Sequence, residues 1–450
     1  MKPLFGTDGI RGEAGQFPLD APTVSAIGYS LATHLSKTTG PPEIVIGRDT
    51  RESGDWLERA LIDGATRAGG KCLSAGVITT PGVAFLTRKL DADAGVVISA
   101  SHNPYQDNGI KIFAPSGEKI DDSVERVIEA DIFAGVSPGT PSSDSKPPAP
   151  EQEANLQQQY LAFLSDQIGQ GLDLNDLKIV VDCANGASSS LAPELFKHLG
   201  AETLAINCNP DGRNINLSCG SLHIDSLREQ VVAQKADLGV AFDGDADRSL
   251  FVDENGNFVD GDATLWVLAN HLKAHGRLKD ETVVATVMSN VGLEIAFRAV
   301  GIKLVRTDVG DKCVLDELLR RNATLGGEQS GHIILPELSL AGDGMITALS
   351  LLRALRDSGK SLGQTTTGFQ AYPQILLNVR VREKRPFADL PSVKTAVGEV
   401  EKELENKGRL LLRYSGTEPL ARVMIEGDNQ HQIESYAEKI ASAIKQEIGA

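Results

Sequence analysis

Three acidic side chains at alternating positions, Asp243-Gly-Asp-Ala-Asp247, follow an apolar run over 238–242 and precede Arg248. Carboxylates held this close repel one another, so the loop is costly without a cation. Its hard oxygen ligands suit magnesium, manganese or calcium better than zinc. Gly244 and Ala246 are small enough for the backbone to curl around an ion. An EF-hand is the competing pattern, since Asp243, Asp245, Asp247 and Glu254 match its spacing. The position that must turn sharply is Arg248 rather than glycine. The flanks also read as strands joined at an Asn255-Gly256 hairpin turn. The EF-hand fails.

Three further loops offer complementary groups. Ser99-Ala-Ser-His-Asn-Pro104 closes a buried-type strand over 94–100, with Pro104 stopping the strand and Asn103 able to bind local backbone. Ser101 is a candidate nucleophile with His102 beside it. Adjacent residues rarely point the same way, which argues against a simple Ser–His pair, and an ordinary polar turn is the alternative. Gly326-Gly-Glu-Gln-Ser-Gly-His332 offers Glu328, Ser330 and His332 to sugar hydroxyls, all on one side if the segment is extended. Arg413-Tyr-Ser-Gly-Thr-Glu-Pro419, followed by Arg422, combines guanidinium groups, hydroxyls and amides around Gly416 into a phosphate cradle, with a plain hairpin as the alternative. Gly359-Lys-Ser361 imitates the end of a P-loop, but Ala354 stands where the leading glycine belongs.

Short apolar runs alternating with amphipathic helices must position these loops. Strands are expected over 43–46, 72–78, 94–100, 178–182 and 236–242, with helices over 56–68, 188–199 and 224–234 among them. That alternation predicts βαβ units, mainly parallel sheets covered on both faces, and ligand loops at the strands' carboxyl ends. A Pro- and Ser-rich break over 137–150 suggests a first boundary; others are expected near Leu250 and near residues 365–367. The expected domains are thus 1–150, 151–250, 251–366 and 367–450. The last is different in kind, because strands 410–414 and 421–426 lie too close together for a parallel crossover. It is expected to be an α+β unit with antiparallel pairing.

Composition narrows the partners. The 450 residues carry 44 basic and 61 acidic side chains, a formal charge of −17 that repels nucleic acid but not a small anion in a local pocket. No apolar run is long enough to span a bilayer, and residues 1–12 lack the regions of a signal peptide. Cys72, Cys183, Cys208, Cys219 and Cys313 are odd in number and have no C-x-x-C spacing, as expected of reduced thiols in a cytoplasmic protein.

In this order and spacing the four loops resemble those of the α-D-phosphohexomutase superfamily, over essentially the whole chain. The resemblance implies an α/β fold: three consecutive related α/β domains with mainly parallel mixed sheets, plus a C-terminal α+β phosphate-binding domain, around a central cleft. It implies that Ser101 is a phosphoserine and holds Mg²⁺ together with Asp243, Asp245 and Asp247. Glu328 and Ser330 would bind sugar hydroxyls, and Arg413, Ser415, Gly416, Thr417 and Arg422 would grip the phosphate that is not being transferred. Arg11, Arg48, Lys111, Arg248 and His332 match positions supplying positive charge or proton transfer, and His102 joins them as a catalytic candidate. A phosphosugar substrate, a catalytic hexose 1,6-bisphosphate and a homodimer are implied as well.

Within the superfamily, Phe5-Gly-Thr-Asp-Gly-Ile-Arg-Gly12, Asn214-Ile-Asn216, Cys219-Gly-Ser-Leu-His223 and Gln329 look like the bacterial branch that isomerises glucosamine phosphate toward cell-wall precursors. Leu222 departs from that branch's usual threonine, and Asp311-Lys-Cys-Val314 from its usual Asp-Arg-Tyr-Val. The second departure adjoins 306–311, a loop that family members use to recognise the sugar. Glucose- and mannose-phosphate mutases therefore stay open as alternatives. So do a haloacid-dehalogenase-type phosphatase, in which Asp243 would be phosphorylated, and a catalytically silent phosphosugar binder.

Overall fold

The computed structural model describes residues 3–6, 8–35, 40–136, 150–405, 407–415 and 418–450. The break over 137–150 lies outside them except for Pro150, which opens the helix Pro150–Ala162. Two compact units emerge, one formed by Met1–Met288 with Val305–Thr367 and the other by Ser289–Leu304 with Gly368–Ala450.

The first unit contains mixed sheets with a common plan. In the first sheet, Glu43–Arg48 pairs in parallel with Lys71–Val77 and Ala94–Ile98, and Ala94–Ile98 then pairs antiparallel with Asp107–Phe113. In the second, Lys178–Asp182 is parallel to Glu202–Ile206 and Leu238–Phe242, and the latter meets Ser249–Asp253 antiparallel. In the third, Thr282–Thr286 is parallel to Gly326–Gly327, which meets Ile333–Ile334 antiparallel. Every residue of Ala94–Ile98, Leu238–Phe242 and Thr282–Thr286 is buried, as strands covered on both faces should be.

This plan has a consequence for chemistry. The serine, acidic and glycine-rich loops all follow a parallel strand and lead into an antiparallel neighbour. They occupy one topological position, three times over. The expected relation among successive α/β units is visible here, where no sequence repeat was.

The second sheet also runs past the break expected near Leu250. Ser249–Asp253 pairs with both Leu238–Phe242 and Phe258–Val259, so the hairpin turning at Asn255-Gly256 stays with the strands before it. Glu254, the last would-be EF-hand ligand, instead accepts from Ser361 Oγ (2.5 Å) and Gly363 N (3.0 Å). The P-loop look-alike is a helix stop and restart: Gly359 ends Gly344–Ser358 in a left-handed conformation, and Ser361 forms a capping box with Gln364.

In the second unit, Leu420–Gly427 pairs antiparallel with both Gln374–Arg380 and Gly408–Tyr414. Helices Pro391–Leu404 and Gln430–Ile448 cover this sheet, burying Val393, Val400, Ile440 and Ile444 against Val423 and Ile425. The antiparallel α+β character expected for this segment is thus present.

Candidate active site

Ser101 has φ +53°, a left-handed conformation unusual for a residue with a Cβ. A clamp maintains it. Arg51, buried and paired with Asp49 (2.9 Å), donates to the carbonyls of Ser101 and Asn103 (2.9 Å each) and Asp107 (2.9 Å). Asn216 Nδ2 donates to the same carbonyls of Ser101 (2.9 Å) and Asn103 (3.0 Å), while Ser101 N donates to Ser99 Oγ (2.9 Å). Gly244 lets the acidic loop approach, since a Cβ there would lie 2.4 Å from Ser101 O.

The serine loop thereby meets the acidic loop. Ser101 donates its hydroxyl to Asp243 Oδ2 at 2.5 Å, and His102 Nδ1 lies 3.3 Å from the same oxygen atom of the serine. The left-handed turn thus brings these adjacent side chains together, contrary to the expectation from their adjacency. Arg248 Nη1 is 3.2 Å from His102 Nδ1. Burial, then Arg248 and Arg11, push the His102 imidazole below its ordinary pKa. His102 is therefore a neutral ring whose Nδ1 accepts from the guanidinium.

Asp243, Asp245 and Asp247 are all buried, and each offers a carboxylate oxygen within 4.8 Å of the others. Lys111 Nζ reaches Asp245 (2.9 Å), Asp8 (3.1 Å) and Asp247 (3.5 Å), and Thr80 Oγ1 donates to Asp245 (2.6 Å). Burial alone would lower the Lys111 pKa, but Asp245, Asp8 and Asp247 outweigh it and hold the ammonium well above its ordinary value. Lys111 is thus a fixed cation and a poor base. Burial first, then Asp247 and Asp245, push Asp243 up. At Asp243 this crowding outweighs the opposing pull of Arg248 and of the Ser101 hydroxyl.

Two observations show that a divalent cation fits. Asp245 Oδ1 and Asp247 Oδ1 are buried with no hydrogen-bond partner among the described residues, and the donor set is all oxygen. Asp245→Asn is expected to lower kcat at least about 100-fold and to weaken the dependence on Mg²⁺. A magnesium titration of kcat checks this, and an unchanged curve would make the loop merely structural.

A cavity of about 820 Å³ opens beside this cluster, lined by Arg11, His102, Asp247, Arg248, Glu328 and His332, together with Val309, Gly310 and Asp311. Its size is that of a small-molecule site. The glycine-rich loop enters it as a tight hairpin rather than the expected extended segment: Glu328 N donates to His332 O (2.9 Å) and Gly331 N to Glu328 O (3.0 Å). Glu328 and His332 consequently line the cavity from either side of the turn, whereas Ser330, at its tip, is not among the lining residues. Ser330 Oγ is nonetheless buried with no partner among the described residues. Glu328 Oε1 also accepts from Gly310 N (3.2 Å), tying the loop 306–311 to the hairpin. Burial disfavours a charged His332, but Asp247, 3.7 Å away, and then Asp311 and Glu328 raise its pKa overall.

Arg48 does not join this group; its Nε donates to the buried Glu58 (2.8 Å). Arg11 pairs with Asp8. Thr80 and Arg51 are positioning groups outside every motif quoted above, and Asp8 lies inside Phe5-Gly-Thr-Asp-Gly-Ile-Arg-Gly12 without that role being readable from it. Asn216 lies inside Asn214-Ile-Asn216, but nothing in that spacing tells that its amide clamps a loop 115 residues away.

In the second unit, Arg413 and Arg422 stand directly opposite each other on neighbouring strands. Like charges in that register repel, and Glu418, 3.3 Å from Arg422 Nη2, offsets part of that repulsion. Ser415 Oγ lies 3.5 Å from Arg422 Nη2, and Lys384 Nζ donates to Ser415 O (2.5 Å). Arg422 Nε is buried without a hydrogen-bond partner among the described residues. Gly416 and Thr417 lie outside the described residues.

Comparison with known proteins agrees with this arrangement. Models of the phosphoglucomutase/phosphomannomutase alpha/beta/alpha domains I, II and III match residues 2–138, 158–256 and 260–372, and the C-terminal domain model matches 376–443. Phosphoglucosamine mutase of Solibacter usitatus is 52% identical over 100% of this chain and 99% of its own. A phosphoglucomutase/phosphomannomutase family protein of Burkholderia thailandensis superposes with a TM-score of 0.79 at 23% identity, covering 98% of this chain and 97% of its own. Aspergillus fumigatus N-acetylphosphoglucosamine mutase, solved with GlcNAc-6P and magnesium, gives 0.63 at 18% identity, covering 98% and 95%. At those identities the two structures speak for the fold, while the curated relative and the four domain models speak for descent. The chain belongs to the phosphoglucomutase/phosphomannomutase family.

Proposed function

We propose that the protein is a phosphohexomutase acting on glucosamine phosphate, interconverting the 6- and 1-phosphates through phosphorylated Ser101. The observation that carries the chemistry is the Ser101 hydroxyl held 2.5 Å from one of three buried carboxylates. The substrate is supported by full-length curated relatives named phosphoglucosamine mutase at 44–52% identity.

Phosphorylated Ser101 donates its phosphoryl group to a sugar hydroxyl, leaving the serine free and a bound 1,6-bisphosphate. The bisphosphate turns end for end, the other phosphate returns to Ser101, and the isomeric monophosphate departs. Mg²⁺, held by Asp243, Asp245, Asp247 and the serine phosphate, would neutralise charge on the transferring group. Lys111 and Arg248 add fixed positive charge around the reacting serine. His332 donates from the cavity wall; in the free serine form Asp243 Oδ2 accepts from Ser101 Oγ at 2.5 Å, and neutral His102 stands behind it at 3.3 Å. Glu328 orients sugar hydroxyls, and Ser330 completes the turn. Arg413, Ser415, Gly416, Thr417 and Arg422 grip the phosphate that is not being transferred. A catalytic hexose 1,6-bisphosphate keeps Ser101 phosphorylated. A cytoplasmic homodimer belongs to the same proposal and is supported by the family resemblance; among the described residues, no helix is long and apolar enough to cross a membrane.

Arg413→Ala should raise KM about 10- to 100-fold while leaving the melting temperature nearly unchanged, because it relieves a like-charge pair as it removes a phosphate ligand. Unchanged kinetics would take the cradle out of the mechanism. The deciding experiment is kcat/KM on glucosamine, glucose and mannose phosphates side by side, with Mg²⁺ and a bisphosphate present. Preference for glucosamine phosphate supports the proposal; preference for glucose or mannose moves the enzyme to another branch and makes Lys312 and Cys313 the first residues to exchange.

A further inference from the structure

We propose that His271, His275 and Asp357 form a transition-metal site, distinct from the acidic loop, that cross-links two helices at their carboxyl ends. His271 stands in the last turn of Gly261–Ala274, His275 caps that helix, and Asp357 is the penultimate residue of Gly344–Ser358. The three side chains each offer a donor atom, and these atoms all lie within 4.8 Å of one another. His271 Nε2 is 2.8 Å and His275 Nε2 3.9 Å from the same oxygen, Asp357 Oδ2. Tetrahedral ligation at zinc bond lengths sets donors about 3.3 Å apart, so small side-chain rotations suffice.

Three physical features favour a cation here. The spacing is i, i+4 across the end of one helix, which brings both imidazoles to one side; their ring centroids are 4.4 Å apart with the planes inclined at 53°. His275 Nδ1 donates to the carbonyl of His271 (2.8 Å), which fixes the tautomer and leaves Nε2 as a free lone pair, the support usually found behind a metal-bound histidine. Both helices also direct their carboxyl ends, with negative partial charge, toward the site. Two imidazoles and one carboxylate suit zinc, nickel, copper or iron rather than magnesium. With His275 49% and Asp357 42% exposed, the remaining coordination positions open to solvent, as in a binding or regulatory site rather than a sealed structural one. Lys360 lines the same hollow and opposes the cation, so affinity should fall below that of a closed four-ligand site.

Trp266 lines this hollow too and is one of only two tryptophans in the chain, which supplies a local reporter. The test uses the full-length enzyme with saturating Mg²⁺, so that the acidic loop is occupied. Zn²⁺ is titrated by calorimetry, and Cu²⁺ by quenching of tryptophan emission in a Trp56→Phe background. One equivalent of Zn²⁺ should bind, and His275→Ala and Asp357→Asn should each weaken it at least about tenfold. Quenching should fall in parallel, with mutase turnover unchanged in both variants. Zinc binding that persists in both variants, or is lost only in Asp245→Asn, would overturn the proposal. So would failure to bind one equivalent at all.

Discussion

Ser101→Ala is expected to reduce turnover by on the order of 10⁴-fold or more while the protein folds normally. The clamp that shapes the loop acts on main-chain atoms: Arg51 and Asn216 bind the Ser101 carbonyl, and Ser99 binds its amide. None of these contacts needs the hydroxyl. Alanine removes one buried hydrogen bond, to Asp243, worth about 1 kcal/mol. The melting temperature should thus move by a few degrees at most, and a collapse in rate reports chemistry. Labelling with a radioactive bisphosphate gives the complementary result: one acid-stable phosphate on the natural enzyme and none on the variant. Acid-labile label on both would transfer the nucleophile's role to Asp243 and make the protein a phosphatase. Near-normal turnover in Ser101→Ala would remove the serine from the mechanism altogether.

Lys111→Met should do two kinds of damage at once. The lysine side chain is 2% exposed and its ammonium lies within 3.5 Å of carboxylates from Asp8, Asp245 and Asp247. Methionine fills a similar volume but leaves the buried Asp245 and Asp247 without their ammonium partner, while Asp8 keeps Arg11 and Lys119; the loss costs roughly 3–5 kcal/mol. Activity should fall about 100- to 1000-fold besides, through loss of a fixed cation beside the transferring group. Denaturant unfolding measures the first effect and saturating-substrate kinetics the second. Desolvation raises the carboxyls of Asp8 and Asp247, but Lys111 and neighbouring cations win and hold both well below the usual range. Their contribution is present above about pH 4 and is lost as pH falls toward their folded values; that of Lys111 is lost as pH rises beyond about 10. The stability gap between the natural enzyme and the variant should accordingly be widest between those limits and close at either end. A gap that stays constant across pH would show that the cluster is not held by charge.

Much of this was legible in the residues themselves. Buried-type strands such as Leu238–Phe242 and turn signals such as Asn255-Gly256 are local, so their structure follows from local chemistry. The acidic loop was legible because three adjacent carboxylates announce their own electrostatic problem. The limits were equally physical. Glu328 and His332 were expected on one side of an extended segment, but two backbone hydrogen bonds fold the loop into a hairpin. Arg48 and Arg51 look alike in sequence, three residues apart. One is drawn away by Glu58 and the other threads into the serine loop, a choice made by tertiary contacts alone.

The left-handed backbone at Ser101 sets heritable stability against heritable activity at a single codon. A side chain with a Cβ in that region raises the folded state's energy by about 1 kcal/mol, and glycine would not. A lineage selected only for abundance of folded protein would therefore drift toward glycine at 101, and the clamp of Arg51 and Asn216 would then relax with it. On the proposed role of Ser101, selection on turnover keeps serine there against that drift. The strained residue is thus a record of use: in a descendant that has abandoned catalysis but kept the fold, position 101 should be among the first to change.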